Sequence, residues 1–442
     1  MNDAVRNKVA ELLPAMIACR RDLHKHAEPA WREFRTASLA AGRLRELGYK
    51  LTLGADAVAK KAMMGVPDEA FLKEEVKRAV RQGADPSLTA KMDGGLTGFW
   101  ADLDFDGGPG PRFAVRCDLD CNDVEETDDP GHQPNREGFC SVNRGCMHAC
   151  GHDGHVAVNL AVAEILAGMK DELRGAVRFI FQPGEEGCRG AAPMVEAGCV
   201  RGVDLIAGMH LGFQAGRSGE IVCGAKGFLA TTKWDVRIIG KAAHAGAAPQ
   251  EGKNALLAAC AATTNLHAIA RHGAGATRVT VGRLEGGQGR NVIPPNAFMA
   301  LETRGATSEL DDYMTRETAR VIGAACAMWD CSHEITVMGG TKSGESSPAM
   351  VERVAEIARA MPVFTSIVGM KDFGASEDYS HMMTVVQENG GLGVYIQVGV
   401  DRKAGHHNSH FDFDESGLAP AAEVLVRLVY SYLRGNPGEK FL

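Results

Sequence analysis

The sequence contains no apolar run long enough to cross a lipid bilayer, and its first residues (1–8, MNDAVRNK) lead into no apolar signal-peptide core. It also has no excess of basic residues: 48 Lys and Arg stand against 56 Asp and Glu, for a net charge of −8. These absences argue against a membrane or a nucleic acid as partner. We therefore expect a cytoplasmic protein.

Several common catalytic and binding signatures are also missing. There is no G-x-S-x-G segment, which argues against a serine hydrolase. The glycine-rich residues 286–291 (GGQGRN) match neither the dinucleotide fingerprint nor the P-loop, so we predict no nucleotide site there. The 12 cysteines are scattered over 442 residues without a disulfide-like spacing, and most are expected to be reduced.

The chain is long enough for two or more domains, and its pattern changes twice. Short apolar strands alternate with helices up to residue 226 and again after residue 342, which predicts an α/β domain with a mostly parallel sheet. Between them, residues 227–341 predict a smaller α+β domain with an antiparallel sheet. We therefore predict a domain of residues 1–226 and 342–442 that carries residues 227–341 as an insertion.

A further insertion is predicted within the first domain, at residues 55–92. Its charged helix, from residue 71 to 81, is typical of a solvated surface helix, and it could also cover one side of an active site. Strands are predicted at residues 112–116, 176–181 and 204–209. In parallel sheets, ligands bind outside the carboxyl ends of the strands, so the residues that follow these strands carry the functional prediction.

Side chains that bind transition metals are concentrated at those positions. Residues 150–155 (CGHDGH) place a thiol, two imidazoles and a carboxylate within six positions, and residues 405–408 (GHHN) form a second histidine-rich loop. Glu185 and Glu186 follow one predicted strand, and His210 ends another. Thiolate, imidazole and carboxylate are the usual ligands of zinc and related ions. The combination predicts a two-metal hydrolase.

The order and spacing of these residues resemble the aminoacylase/carboxypeptidase family of two-metal metallopeptidases (peptidase family M20), and within it the amidohydrolase branch. The resemblance spans nearly the whole chain. Its motifs are His24, Glu28, Glu33, residues 116–120 (RCDLD), 147–155 (MHACGHDGH), 182–187 (QPGEEG), 208–210 (GMH), 240–244 (GKAAH), 291–294 (NVIP), 376–378 (SED), and His407 ahead of Phe411.

The resemblance implies a metal centre in the first domain with two divalent ions, zinc or manganese. The residues it implies as ligands are Cys150, His152, Glu186, His210 and His407. A thiolate or a water would bridge the two ions. His406 competes with His407 for one position, and the spacing of four residues before Phe411 favours His407.

The same resemblance implies roles for the neighbouring residues. Glu185 would be the general base, which takes a proton from the attacking water and later passes it to the leaving amine. Asp120 and Asp153 would support catalysis by orienting ligand imidazoles, and Asp118 is a weaker candidate for the same task. The remaining imidazoles of this stretch, His148 and His155, are read as hydrogen-bonded structural histidines rather than ligands.

The inserted domain would contribute the remaining site residues. The resemblance implies that His244 reaches the active site of the other protomer of a dimer, where it stabilises the developing oxyanion. Arg290 and Asn291 are candidates for binding a substrate carboxylate. A homodimer formed through the inserted domain is implied, and a requirement for a paralogous second subunit stays open.

The chain departs from the common pattern of the branch at Gln250, where His is usual, and at Asn254, where Asp is usual. With the insertion at residues 55–92, these features resemble the A-type chains of p-aminobenzoyl-glutamate hydrolase and the indole-3-acetyl-aspartate hydrolases. The implied reaction is hydrolysis of the amide bond between an aromatic acyl group and glutamate or aspartate. The alternatives are a general aminoacylase or dipeptidase, and a non-catalytic partner subunit.

Overall fold

The computed structural model describes residues 2–434. Within this range the strands are β1 (Lys50–Leu53), β2 (Phe99–Asp104), β3 (Arg112–Asp118), β4 (Ala176–Gln182), β5 (Leu205–Leu211), β6 (Glu220–Lys226), β7 (Ala230–Ile239), β8 (Thr277–Gly286), β9 (Asn296–Gly305), β10 (Ser332–Thr341), β11 (Ser366–Asp372) and β12 (Leu392–Val398).

The helices of the same range are α1 (Asn2–Lys25), α2 (Phe34–Glu46), α3 (Glu69–Arg81), α4 (Pro86–Thr89), α5 (Gln133–Glu137), α6 (His152–Ala167), α7 (Ala191–Ala197), α8 (Ala255–Leu266), α9 (Ser308–Met328), α10 (Pro348–Arg359), α11 (Tyr379–Glu388) and α12 (Leu418–Leu433). No helix of the described chain combines the length and the apolar character needed to span a membrane.

The chain divides into two compact units. The first contains Met1–Lys226, Glu345–Phe373 and Asp378–Leu442, and the second contains Gly227–Gly344 and Gly374–Glu377. Residues 342–344 and 374–377 were predicted with the first domain. They group with the second because Phe228 pairs with Gly344 and the Leu229 amide donates to Ala375 O. Residues 435–442 of the predicted first domain lie outside the described range.

The first unit contains a mixed sheet in the order β1-β2-β4-β3-β5-β12-β6-β11. Its central strands β4, β3, β5 and β12 are mutually parallel, as are β6 and β11. Every residue of β4 and β5 is buried, which explains their continuous apolar sequences. The predicted α/β domain with a mostly parallel sheet is confirmed.

Helix α6 is almost entirely buried in this unit, in keeping with its apolar composition on all sides. The insertion at residues 55–92 contains α3, which begins at Asp68, whose carboxylate accepts from the Phe71 amide. Its outer face is exposed as predicted, and its inner face places the Arg78 guanidinium 2.9 Å from the buried carboxylate of Glu28.

The second unit is an antiparallel sheet in the order β10-β7-β9-β8 with helices α8 and α9. Buried and exposed residues alternate along β9, and its inward residues pack with those of the two helices. The predicted smaller α+β fold with an antiparallel sheet is confirmed.

Candidate metal centre

The predicted ligands meet at one edge of the sheet of the first unit. Because β4, β3, β5 and β12 are parallel, their carboxyl ends lie along the same edge. Glu186 lies in the turn after β4, His210 near the end of β5, and His407 in the loop after β12. Cys150 and His152 come from the segment that enters α6, where Gly151 adopts a φ of 94° that favours glycine.

The five predicted ligands form two overlapping groups. The ligand atoms of Cys150, His152 and His210 lie within 4.8 Å of one another, and so do those of Cys150, Glu186 and His407. Cys150 Sγ is 3.4 Å from Nε2 of His210, and Nε2 of His407 is 3.2 Å from Oε2 of Glu186. One thiol therefore belongs to both groups, the position that a bridging ligand of two ions requires.

Two polar atoms of the cluster fit a bound cation. Nε2 of His152 and Oε1 of Glu186 are buried, lie 3.8 Å apart, and have no hydrogen-bond partner among residues 2–434. The Nδ1 atoms of His152 and His210 each donate to a main-chain oxygen at 2.8 Å, those of Asp120 and Leu211. Those bonds leave the Nε2 lone pairs facing the cluster, so the donor set fits a thiolate- and imidazole-binding metal.

The second group is strongly polarised. Hydrogen bonds with Cys150 and Glu186 raise the pKa of His407 to about 10. Burial opposes ionisation of Glu186, but the hydrogen bond with His407 and the charge of His152 outweigh it and lower the pKa of Glu186 to about 2. A metal ion bound by His407 would have to displace its proton, so binding would weaken as the pH falls.

Asp120 organises the turn that carries both glutamates. Its two carboxylate oxygens accept from the amides of Glu185 and Glu186, at 2.9 and 3.0 Å. The prediction was that this carboxylate orients a ligand imidazole. It is instead the main-chain oxygen of Asp120 that holds His152, because the carboxylate is engaged by the two amides.

The same turn is closed by two further contacts. The Gly184 amide donates to Oε1 of the buried Glu33 at 2.9 Å. Burial and the nearby charge of Asp120 raise the pKa of Glu33 to about 8. A Cβ at Gly190 would lie 1.6 Å from Pro183 O, so only glycine allows the turn to close. The turn is thereby fixed on both sides of Glu185.

The histidines beside the predicted ligands have other surroundings. His155 donates from Nδ1 to Asp118 at 2.7 Å and accepts the Leu211 amide at Nε2, so both ring nitrogens are used. His148 was expected to be hydrogen-bonded, but both of its nitrogens are buried without a partner among residues 2–434, and burial lowers its pKa to about 3. Asp153 contacts His24 and Arg20 instead of a ligand imidazole.

His406 and His407 face different partners. His406 Nε2 accepts the amide of Phe213 at 3.2 Å, and its Nδ1 lies 3.6 Å from Cys150 Sγ. His407 reaches Glu186 and adopts a φ of 61°. The arrangement leaves His407 as the ligand candidate and gives His406 a supporting contact with the thiol.

The profile of peptidase family M20/M25/M40 matches residues 114–431, the range that contains all five predicted ligands. The chain belongs to this family. The predicted resemblance to family M20 and the prediction of a hydrolase are both confirmed.

Curated relatives cover nearly the whole chain. Indole-3-acetyl-aspartic acid hydrolase of Enterobacter agglomerans is 47% identical over 95% of this chain and 96% of its own length. The A-type chain of p-aminobenzoyl-glutamate hydrolase from Escherichia coli K12 is 44% identical over 97% of this chain and 98% of its own. The aminobenzoyl-glutamate utilization protein of Klebsiella pneumoniae has a similar crystal structure, with a TM-score of 0.83, 38% identity, and coverage of 97% and 98%.

The other predicted site residues lie in the second unit of this M20-family chain. His244 is exposed, and its Nδ1 accepts the amides of Gly246 and Ala247 at 3.2 and 3.1 Å. Arg290 and Asn291 are exposed in a loop that runs beside it, since the Ala245 amide donates to Asn291 O. The structure thus brings these three predicted residues into neighbouring loops of one unit.

Sequence reasoning missed two residues near the cluster. Arg20 is fully buried and forms ion pairs with Asp153 at 3.0 Å and Asp412 at 2.6 Å, but in an amphipathic helix it looks like a surface arginine. Phe213 lies three residues after His210 and adopts a φ of 62°. Its place directly after Gly212, at the end of an apolar strand, was the signal that could have identified it.

Proposed function

We propose that the chain hydrolyses the amide bond of N-acyl amino acids, with an aromatic acyl group and glutamate or aspartate as the preferred halves. The carrying observation is the pair of ligand groups that share Cys150, next to a second carboxylate, that of Glu185. The proteins similar over nearly the whole chain are named for p-aminobenzoyl-glutamate and for indole-3-acetyl-aspartic acid, which supports this substrate class.

Two divalent ions would be held by these groups, one by Cys150, His152 and His210 and the other by Cys150, Glu186 and His407. When bound, such ions polarise the scissile carbonyl and lower the pKa of the attacking water. The thiolate and imidazoles suit zinc, and the carboxylate also accepts manganese. The charge of the Cys150 thiolate and the Glu186 carboxylate would balance part of the charge of the ions.

Glu185 would move the proton. Its Oε2 is 4.0 Å from Nε2 of His152, so its carboxylate faces the cluster, and Asp120 holds its amide in place. The carboxylate accepts a proton from the attacking water and then donates it to the nitrogen of the leaving amino acid. Adjacent Glu186 is occupied by His407, which separates the tasks of the two glutamates.

His244 would stabilise the oxyanion in the active site of the other protomer of a homodimer. The two amides that donate to its Nδ1 place the proton of a neutral ring on Nε2, which is the donor that this role needs. Arg290 and Asn291, in the adjacent loop, would bind a carboxylate of the substrate.

A hydrolysis screen tests this proposal. The purified chain, loaded with zinc or manganese, is incubated with p-aminobenzoyl-glutamate, indole-3-acetyl-aspartate, N-acetyl amino acids and simple dipeptides, and the products are measured by mass spectrometry. Selective cleavage of the aromatic acidic conjugates is expected. Equal cleavage of all N-acetyl amino acids or dipeptides would favour a general aminoacylase or dipeptidase. No cleavage with either metal would favour a non-catalytic chain or one that needs a second subunit.

A further inference from the structure

An aromatic side chain stands beside the predicted metal centre in an unfavourable backbone conformation. Phe213 has a φ of 62°, directly after Gly212 with a φ of 77°. A bulky residue in the left-handed region costs conformational energy that glycine would avoid. Such strained residues concentrate at functional sites, so Phe213 invites a functional explanation that its side chain has to supply.

The ring is supported on one face. Phe213 and Phe373 are stacked with centroids 4.5 Å apart and an interplanar angle of 21°. Phe373 is itself buried and packs edge-on against Tyr395 at 5.6 Å. Phe213 is only half-buried, so part of its ring is left accessible while its orientation is fixed from below.

The ring also lies next to predicted metal ligands. Its centroid is 5.8 Å from the imidazole of His210, and its amide donates to Nε2 of His406 at 3.2 Å. The half-exposed ring and the metal cluster therefore belong to one site within the first unit.

We propose that Phe213 is the platform on which the aromatic ring of the acyl group stacks. The inference rests on the proposed function and names the residue that makes it selective. In a p-aminobenzoyl conjugate the ring is bonded directly to the carbonyl carbon under attack, so it has to lie beside the ions and their ligands. Phe213 is an apolar, pre-oriented aromatic surface at that place. Stacking of this kind favours flat π-systems over saturated groups of the same size.

A matched pair of substrates tests the platform. Benzoyl-glutamate and cyclohexanecarbonyl-glutamate share the leaving amino acid and the size of the acyl ring, and differ in aromaticity. The measured quantity is the ratio of their kcat/KM values. Phe213→Leu keeps a β-carbon at the strained position and removes the π-face. We expect it to reduce the wild-type preference for the benzoyl substrate by about five- to tenfold, whereas Phe213→Tyr retains it.

Two controls separate the outcomes. Phe71→Leu makes the same change at a phenylalanine that is 41% exposed on α3, and it should leave the ratio unchanged. If Phe213→Leu does not fold, Phe213→Met serves in its place. An equal loss on both substrates would mean that Phe213 only packs the loop, which overturns the platform and leaves the proposed function standing. A wild-type protein that cleaves neither substrate would overturn the proposed function and the platform together.

Discussion

Glu185 and Glu186 are adjacent, yet their side chains face different partners. Asp120 holds both amides, so the main chain of the turn is fixed and the two side chains diverge from it. Oε2 of Glu186 lies 3.2 Å from His407, and Oε2 of Glu185 lies 4.0 Å from His152. One carboxylate is thus placed as a ligand and the other as a proton carrier.

Replacing Glu185 by glutamine should separate these tasks. Glu185→Gln keeps the shape of the side chain but cannot accept the proton, so kcat should fall by about 10²- to 10⁴-fold. Metal content, measured by atomic emission on the purified variant, should equal that of the wild type. The control is Glu186→Gln, which should lose bound metal as well as activity. An active Glu185→Gln enzyme would remove Glu185 as the base.

Much of the candidate site could be predicted from the sequence because its residues are clustered in short motifs. Cys150 and His152 are two positions apart, and Glu185 and Glu186 are adjacent, so each motif identifies itself. Phe213 and Arg20 could not be found in this way. Their importance comes from contacts with distant residues, Phe373 for the former and Asp412 for the latter.

Helices α1 and α6 are joined by a buried charged contact. His24, near the end of α1, donates to Asp153 in the first turn of α6 at 2.8 Å and lies 3.0 Å from Glu126. Burial alone would lower the pKa of His24, but the hydrogen bonds with Asp153 and Glu126 outweigh it and raise the pKa to about 9. The protonated imidazole therefore belongs to the folded state at neutral pH.

This contact makes stability depend on pH. Because the pKa of His24 is raised from 6.5 to about 9, its contribution is complete below pH 6.5 and is lost as the pH rises through 9. The free energy of unfolding should fall by roughly 3 kcal/mol over that interval. His24→Gln should be less stable at pH 6.5 and lack this slope, as measured by urea unfolding at both pH values. An unchanged slope in the variant would show that other groups cause it.

The predicted elements were those with strong apolar or amphipathic patterns. The buried strands β4 and β5 and the long helices α1, α9 and α12 were all predicted close to their observed bounds. Strand β11 was missed because its residues are mostly exposed and carry no clear alternation, and β1 because it has four residues. These strands form through pairing with distant neighbours, β6 and β2, which the local sequence does not reveal.

At the scale of the whole molecule, the proposed homodimer makes a specific prediction. If His244 serves the partner's active site, a mixed dimer of Glu185→Gln and His244→Ala chains contains one intact site and one doubly altered site. Random pairing makes about half of the dimers mixed, so mixing the two inactive variants should restore about a quarter of wild-type activity. Each variant alone should stay at its own low rate.

The mixing experiment needs exchange of chains between dimers, which is verified by native mass spectrometry of differently tagged chains. Exchanged but inactive mixtures would mean that His244 acts within its own chain or not at all. Monomeric protein with full activity would exclude the role in the other protomer.

The central claim is a catalytic two-metal centre that shares Cys150, and metal titration tests it most directly. Protein stripped by a chelator is titrated with zinc or manganese, and hydrolysis of p-aminobenzoyl-glutamate is recorded at each step. The account predicts no activity without metal and a rate that saturates at two ions per chain. Full activity of the stripped protein, or saturation at a single ion, would contradict it.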